Sequence, residues 1–137
     1  EYFSTGGENP LEIIKSVQKT MYKYVGVVRN GDELKKGFEL LEEFASVKFD
    51  GSFGEVWNPK VLHGISLRNM IILGKGIAGA ALERKESRGA HYRLDYPEMD
   101  DERWRVNIVV RVDEQDKMVL KREDTAARRC TDWDSIQ

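Results

Sequence analysis

The densest run of chemically capable side chains in this sequence is Glu86-Ser87-Arg88-Gly89-Ala90-His91-Tyr92-Arg93-Leu94-Asp95-Tyr96-Pro97. Two arginines, a histidine, two tyrosines and two carboxylates crowd around one glycine. Guanidinium forks match carboxylates and carbonyl oxygens in geometry, so such a cluster can tie down a helix end or dock on a partner. In the first reading Gly89 is the C-cap of a long helix, Arg88 or His91 opposes its negative end, and Arg93 pairs with Asp95. In the second, the cationic corner faces another protein surface. Glu86, Ser87, Arg88, Gly89, His91, Tyr92, Arg93 and Asp95 are therefore the candidate interface or helix-end residues.

Other chemistry is less well supplied. Gly74-Lys75-Gly76-Ile77-Ala78-Gly79 spells GxGxxG after the apolar Met70-Ile71-Ile72-Leu73, with Asp95 about twenty residues on, as a dinucleotide-binding turn would. That fold needs a second strand soon after its helix, and Leu82 to Arg93 is charged and helical instead. Glycines for close helix packing are the preferred reading. His63 and His91 have no cysteine nearby, and most metal sites need three or four convergent ligands. The single cysteine, Cys130, can form neither an internal disulfide nor a CxxC pair, which fits a reducing compartment. No catalytic, cofactor-binding or metal-ligating residue is assigned.

The elements that must hold the cluster are legible from period and punctuation. Asn9-Pro10 is a cap followed by a proline where the missing N–H costs nothing, and Leu11, Ile14, Val17, Met21 and Tyr24 recur at helical steps. This predicts a first helix over 10–25, stopped by Gly26. Asn30-Gly31-Asp32 opens a second over 32–47, with Leu34, Phe38, Leu41, Phe44 and Ala45 on one face. Residues 48–57 carry three aromatics without a period and read as a loop. Asn58-Pro59 repeats the cap signal and opens a third helix running to Arg88. Past it, Val106, Ile108 and Val110 alternate with polar neighbours, and Met118-Val119-Leu120 follows a polar turn, which predicts a hairpin over 104–122.

The expected fold is thus mainly α: a three-helix bundle over 10–89, spectrin-repeat-like and running up-down-up, followed by a small C-terminal β-hairpin. Residues 90–124 are a loop and hairpin extension of the same domain. Residues 1–9 are expected to be a disordered arm or cloning remnant, and 125–137 a disordered tail. The sequence begins without Met or leader and reads as a cut through a longer polypeptide.

Composition excludes some partners. At 137 residues and 40% hydrophobic content the chain can build one core, and 22 basic against 24 acidic side chains leave a formal charge of -2. No field holds nucleic acid or anionic lipid. The apolar stretch 69–82 is interrupted by Lys75 and falls short of the ~20 residues of a bilayer span, so no direct membrane insertion is expected.

The cluster, followed by Asp100-Asp101 and Trp104, resembles the stretch near the C-terminus of succinate dehydrogenase and fumarate reductase flavoprotein subunits. Val17-Gln18-Lys19-Thr20-Met21 with Gly26-Val27-Val28-Arg29 is similar to that family's first C-terminal helix and its exit. Leu67-Arg68-Asn69 with Ala81-Leu82-Glu83-Arg84 is similar to its third, so the resemblance spans about residues 10–122 in the family's order. It implies a non-catalytic C-terminal domain of an FAD-containing subunit that interconverts succinate and fumarate and passes electrons to an iron-sulfur subunit. The flavin-binding and capping domains of the same polypeptide would be its neighbours, and the family's substrate-binding residues lie in those absent parts. The location implied is cytoplasmic, at the cytoplasmic face of the inner membrane in the intact complex. L-Aspartate oxidase resembles the helices and the motif but tends to finish soon after it, and adenylylsulfate reductase matches less of it. A free-standing helical interaction module is the alternative of another class.

Overall fold

The computed structural model describes residues 3–4, 6–50, 58–114 and 117–125. It is mainly helical with a C-terminal antiparallel strand pair. Helix α1 covers Pro10–Tyr24, α2 Gly31–Ser46 and α3 Pro59–Glu83. A short α4 covers Asp101–Trp104. Each long helix starts where an asparagine side chain accepts a backbone N–H of the first turn: Asn9 from Leu11, Asn30 from Glu33, Asn58 from Lys60. These bonds satisfy donors that a helix start otherwise leaves unpaired.

The three long helices pack pairwise around Ile13, Val17, Leu34, Leu41, Leu67, Ile71 and Ala78. The buried stripe of α1 is rotated by a residue or two from the expected one: Ile13, Val17 and Thr20 are buried, whereas Leu11 lies 44% exposed. Leu11 sits in the first turn, beside its cap, where the neighbouring helices do not reach it. On α2, Leu34, Gly37 and Leu41 are buried and Phe38 and Phe44 partly so, while Ala45 is exposed.

The glycines of α3 lie inside an uninterrupted helix, so they form no phosphate-binding turn. A β-carbon on Gly74 would sit 3.1 Å from the Met21 sulfur and 3.4 Å from both Leu41 methyls. One on Gly79 would meet Met118 at 3.3 Å, with Leu120 and Phe38 at 3.5 Å, and one on Gly76 would meet Val110 at 3.5 Å. Bare backbone lets α1 and α2 press on one part of α3 and the C-terminal hairpin on another. That hairpin is β5 (Val106–Val112) with β6 (Met118–Asp124), registered Val110↔Leu120 and Val112↔Met118. Directly paired residues share a face, so Val110, Leu120 and Met118 fall on the side that touches α3.

Two expectations about element boundaries and the N-terminal segment also need correction. Helix α3 ends at Glu83 with Arg84 as its C-cap, not at Arg88 with Gly89. Arg84 leaves the helical conformation because its guanidinium is drawn to the carbonyls of Trp104 and Val106, at 3.0 and 2.6 Å. The N-terminal segment is also not wholly structureless. Strand β1 (Phe3–Ser4) pairs in parallel with β3 (Phe49–Asp50), and Glu8 bridges to Phe49. Close backbone approach at Gly7 permits this: a β-carbon there would come within 2.5 Å of the Phe49 carbonyl carbon. A second parallel pair, β2 (Val28–Arg29) with β4 (Tyr92–Arg93), joins the α1–α2 link to the segment after α3. Most of the expected aromatic loop, nearly all of the tail and Cys130 lie outside the described residues.

By length and composition alone α3 could cross a membrane, contrary to the expectation from its interrupted apolar run; 33% of its apolar 18-residue stretch is buried inside the fold. Core helices pass the same test. Its position among α1, α2 and the hairpin accounts for part of its apolar character.

Candidate functional site

The cluster folds into a corner after α3. Arg88, Gly89, Ala90 and His91 make a two-residue turn, with Arg88 N–H donating to the His91 carbonyl at 2.8 Å and His91 N–H to that of Arg88 at 3.0 Å. Gly89 has φ 58°, a left-handed conformation that glycine adopts without the steric cost of a β-carbon. The glycine thus serves the turn and not the helix end.

Arg93 fixes the helix end instead. It is 2% exposed, and its Nη1 donates to the carbonyls of Ala81, Leu82 and Arg84 at 2.9, 3.3 and 3.1 Å. Its other edge donates twice to Asp95, from Nε at 2.7 Å and Nη2 at 2.6 Å. Asp95 also accepts the N–H of Gly31 at the start of α2, at 3.1 Å. One arginine and one aspartate therefore bind the negative end of α3 to the positive end of α2. Hydrogen bonds from Arg93 hold the Asp95 carboxyl at about 2, against an ordinary 3.8, overcoming the opposing effect of burial.

Glu86 is a second buried anchor, with no exposed surface. Burial pushes its pKa up, but hydrogen bonds from Arg88, the Asp100 N–H and Arg84 outweigh it and hold the carboxyl at about 2. The distances are 2.8 Å to Arg88 Nε, 2.9 Å to Asp100 N and 2.5 Å to Arg84 Nη1. Arg88 also reaches Asp101 at 2.6 Å, and its pKa is raised by these two carboxylates, that of Glu86 first. The Ser87 hydroxyl accepts from Arg93 N–H at 2.9 Å and donates to the Tyr96 carbonyl at 2.8 Å. Tyr92, 42% exposed, lies in β4 opposite Val28.

His91 stands between two arginine-bearing segments. Its Nδ1 lies 2.6 Å from Arg29 Nη1 and its Nε2 lies 3.3 Å from the Arg84 carbonyl. Arginine only donates, so Nδ1 accepts and the proton sits on Nε2. Burial chiefly, with the nearby positive charges of Arg29, Arg93 and Arg84, lowers the His91 pKa below its ordinary 6.5.

All eight candidate residues thus belong to one corner, and among the described residues three further side chains bond to them: Arg29, Arg84 and Asp101. Arg29 carried a signal, as a lone charge ending the apolar Val27-Val28 link. Arg84 stood in the Ala81-Leu82-Glu83-Arg84 stretch that carries the resemblance, but nothing there marked it as a partner of Glu86. The buried Glu86 and the partly exposed Asp95 are each held by guanidinium groups and a backbone N–H, and the Ser87 hydroxyl is bonded to backbone groups. Among the described residues no group of three or more His, Cys, Asp or Glu is placed to hold a metal ion.

Comparison with known proteins gives a consistent picture. The family described as fumarate reductase flavoprotein C-term matches residues 14–133. An uncharacterized FAD-dependent oxidoreductase of Methanocaldococcus jannaschii is 38% identical over 110 residues, which is 77% of this chain and 19% of that protein. The succinate dehydrogenase flavoprotein subunit of Rickettsia bellii is 32% identical over 120 residues, 85% of this chain and 20% of that one. Among solved structures, Mycobacterium smegmatis Sdh1 in complex with UQ1 superposes with a TM-score of 0.81 at 32% identity, over 93% of this chain and 23% of that one. The chain spans about a fifth of the length of the curated relatives it matches. The aspartate oxidase alternative is not favoured by these matches.

Proposed function

Because the chain belongs to the fumarate reductase flavoprotein C-terminal family, we propose that it is the non-catalytic helical domain of an FAD-containing subunit that interconverts succinate and fumarate. In that reading the domain packs on the flavin-binding part of its own polypeptide, and the intact subunit passes electrons to an iron-sulfur subunit. The whole would sit at the cytoplasmic face of the inner membrane. The three long helices are taken as an up-down-up bundle of the spectrin-repeat kind, which the short link of residues 25–30 favours, since short links join antiparallel neighbours.

The observation that carries this reading is the family match over residues 14–133. The residues present do not fit a flavin dinucleotide. Their GxGxxG is internal to α3, where Met21, Leu41, Met118 and Leu120 fill the space that a phosphate would need. No chemical step is therefore assigned to this domain. The eight corner residues are given a supporting role: they set the angle at which the segment after α3 leaves the bundle.

Two measurements test the proposal. The coding sequence ahead of this segment is expected to hold a flavin-binding fingerprint, and the full-length product to carry FAD and reduce a dye with succinate. The 137-residue chain by itself is expected to be colourless and inactive in the same assay. Stoichiometric flavin on the short chain would overturn the reading.

A further inference from the structure

Helix α3 differs from α1 and α2 in being apolar on both sides. Leu67, Ile71, Gly74 and Ala78 face the core. Leu62, Ile65, Ile72, Leu73 and Ile77 lie on the opposite side and are 47, 48, 48, 66 and 50% exposed. At 3.6 residues per turn these five fall within about 140° of the helix circumference. No acidic residue occurs between Pro59 and Leu82. A helix apolar on two sides is one that is covered on two sides, and exposed apolar side chains grouped in this way mark an interaction surface, with the polar Ser66 and Asn69 set among them and the hairpin meeting the same face at Gly76 through Val110.

We infer that the outward face of α3 is the seam on which the flavin-containing remainder of the polypeptide docks. The inference rests on the proposed function and adds the location of the contact. Two observations select this occupant. First, the chain matches a C-terminal family and covers about a fifth of its relatives, so the missing surface lies ahead of it in sequence. Second, the N-terminal strand leads to the same place. Strand β1 pairs with β3, and Phe49 of β3 shares with Ile72 a cleft of about 90 Å³, also lined by Ala45, Arg68 and Ile71. Chain arriving at Phe3 is thus delivered beside the apolar stripe. The arginine corner is a poorer seam, since Arg93 and Glu86 are buried and turned inward on their own partners.

Thiol labelling tests this. Leu73→Cys and Ile77→Cys are made separately, both in the 137-residue chain and in the full-length flavoprotein, with Lys85→Cys as an exposed reference. Modification of each position by a maleimide is followed by peptide mass spectrometry. Both α3 thiols are expected to react readily in the short chain and at least about tenfold more slowly in the full-length protein, as in a desolvated contact. Lys85→Cys is expected to react alike in both. Equal labelling of positions 73 and 77 in the two contexts overturns the inference. So does protection already present in the short chain through dimerisation, or protection gained only on adding phosphatidylcholine–phosphatidylglycerol vesicles. A full-length product without FAD would instead defeat the proposed function, which is a separate result.

Discussion

Arg93 makes five hydrogen bonds from a position 2% exposed, three to the end of α3 and two to Asp95. Replacing it by methionine keeps the bulk but leaves those carbonyls and the Asp95 carboxylate without their partner, and we expect a loss of roughly 3–5 kcal/mol in urea unfolding. Lysine should recover only part of this, because an ammonium cannot reproduce the planar fork. The titrating groups add a pH dependence whose direction is fixed. Glu86 and Asp95 have folded pKa values near 2, below their ordinary 4.5 and 3.8, so the stability they confer is complete above the ordinary values. It is lost as pH falls from about 4.5 towards 2. His91 is also depressed, so its contribution is complete above 6.5 and begins to fall below that value. Urea midpoints measured from pH 7.5 to 2.5 should therefore decline in a shallow step below 6.5 and a steeper one below 4.5. A midpoint that rises on acidification would contradict the whole arrangement.

Glycine is needed to different degrees in α2 and α3, and the two can be ordered. A β-carbon at Gly37 would come within 2.8 Å of the Tyr24 β-carbon and 3.1 Å of a Val25 methyl, close to where α1 ends. Gly37→Ala should cost about 1–3 kcal/mol through overpacking, despite the better helix propensity of alanine. At Gly74 the nearest atom is the sulfur of the flexible Met21 side chain, so Gly74→Ala should be markedly milder in thermal unfolding. Leu41, fully buried between helices, should cost about 2–5 kcal/mol on truncation to alanine. Helix starts were legible because asparagine and proline act locally: Asn9, Asn30 and Asn58 all cap. The end of α3 was not, because what stops it is Arg84 reaching carbonyls at 104 and 106. The two-residue parallel strands were equally hidden. Each joins segments remote in sequence and leaves no period behind.

At the scale of the molecule the candidate residues were legible as a group from composition, while their duties were not. Gly89 looked like a helix cap and makes a turn; Arg93 looked like a pair for Asp95 and also caps α3. The fold holds its parts with unequal strength, which hydrogen exchange can read. Amides in the middle of α3, around Leu67 and Ile71, should exchange slowest. The two-residue pairs β1–β3 and β2–β4 should open earlier, each resting on few backbone bonds. Uniform exchange across these regions would count against that hierarchy. The β2–β4 pair has a consequence for how the protein is made. Gly31 and Asp95 are 64 positions apart, and Val28 waits on Tyr92. On a ribosome the first two helices emerge long before the residues that clasp the link between them. A nascent chain stalled before Tyr92 would therefore leave the start of α2 and the end of α3 unclasped together, a window in which a chaperone could take hold.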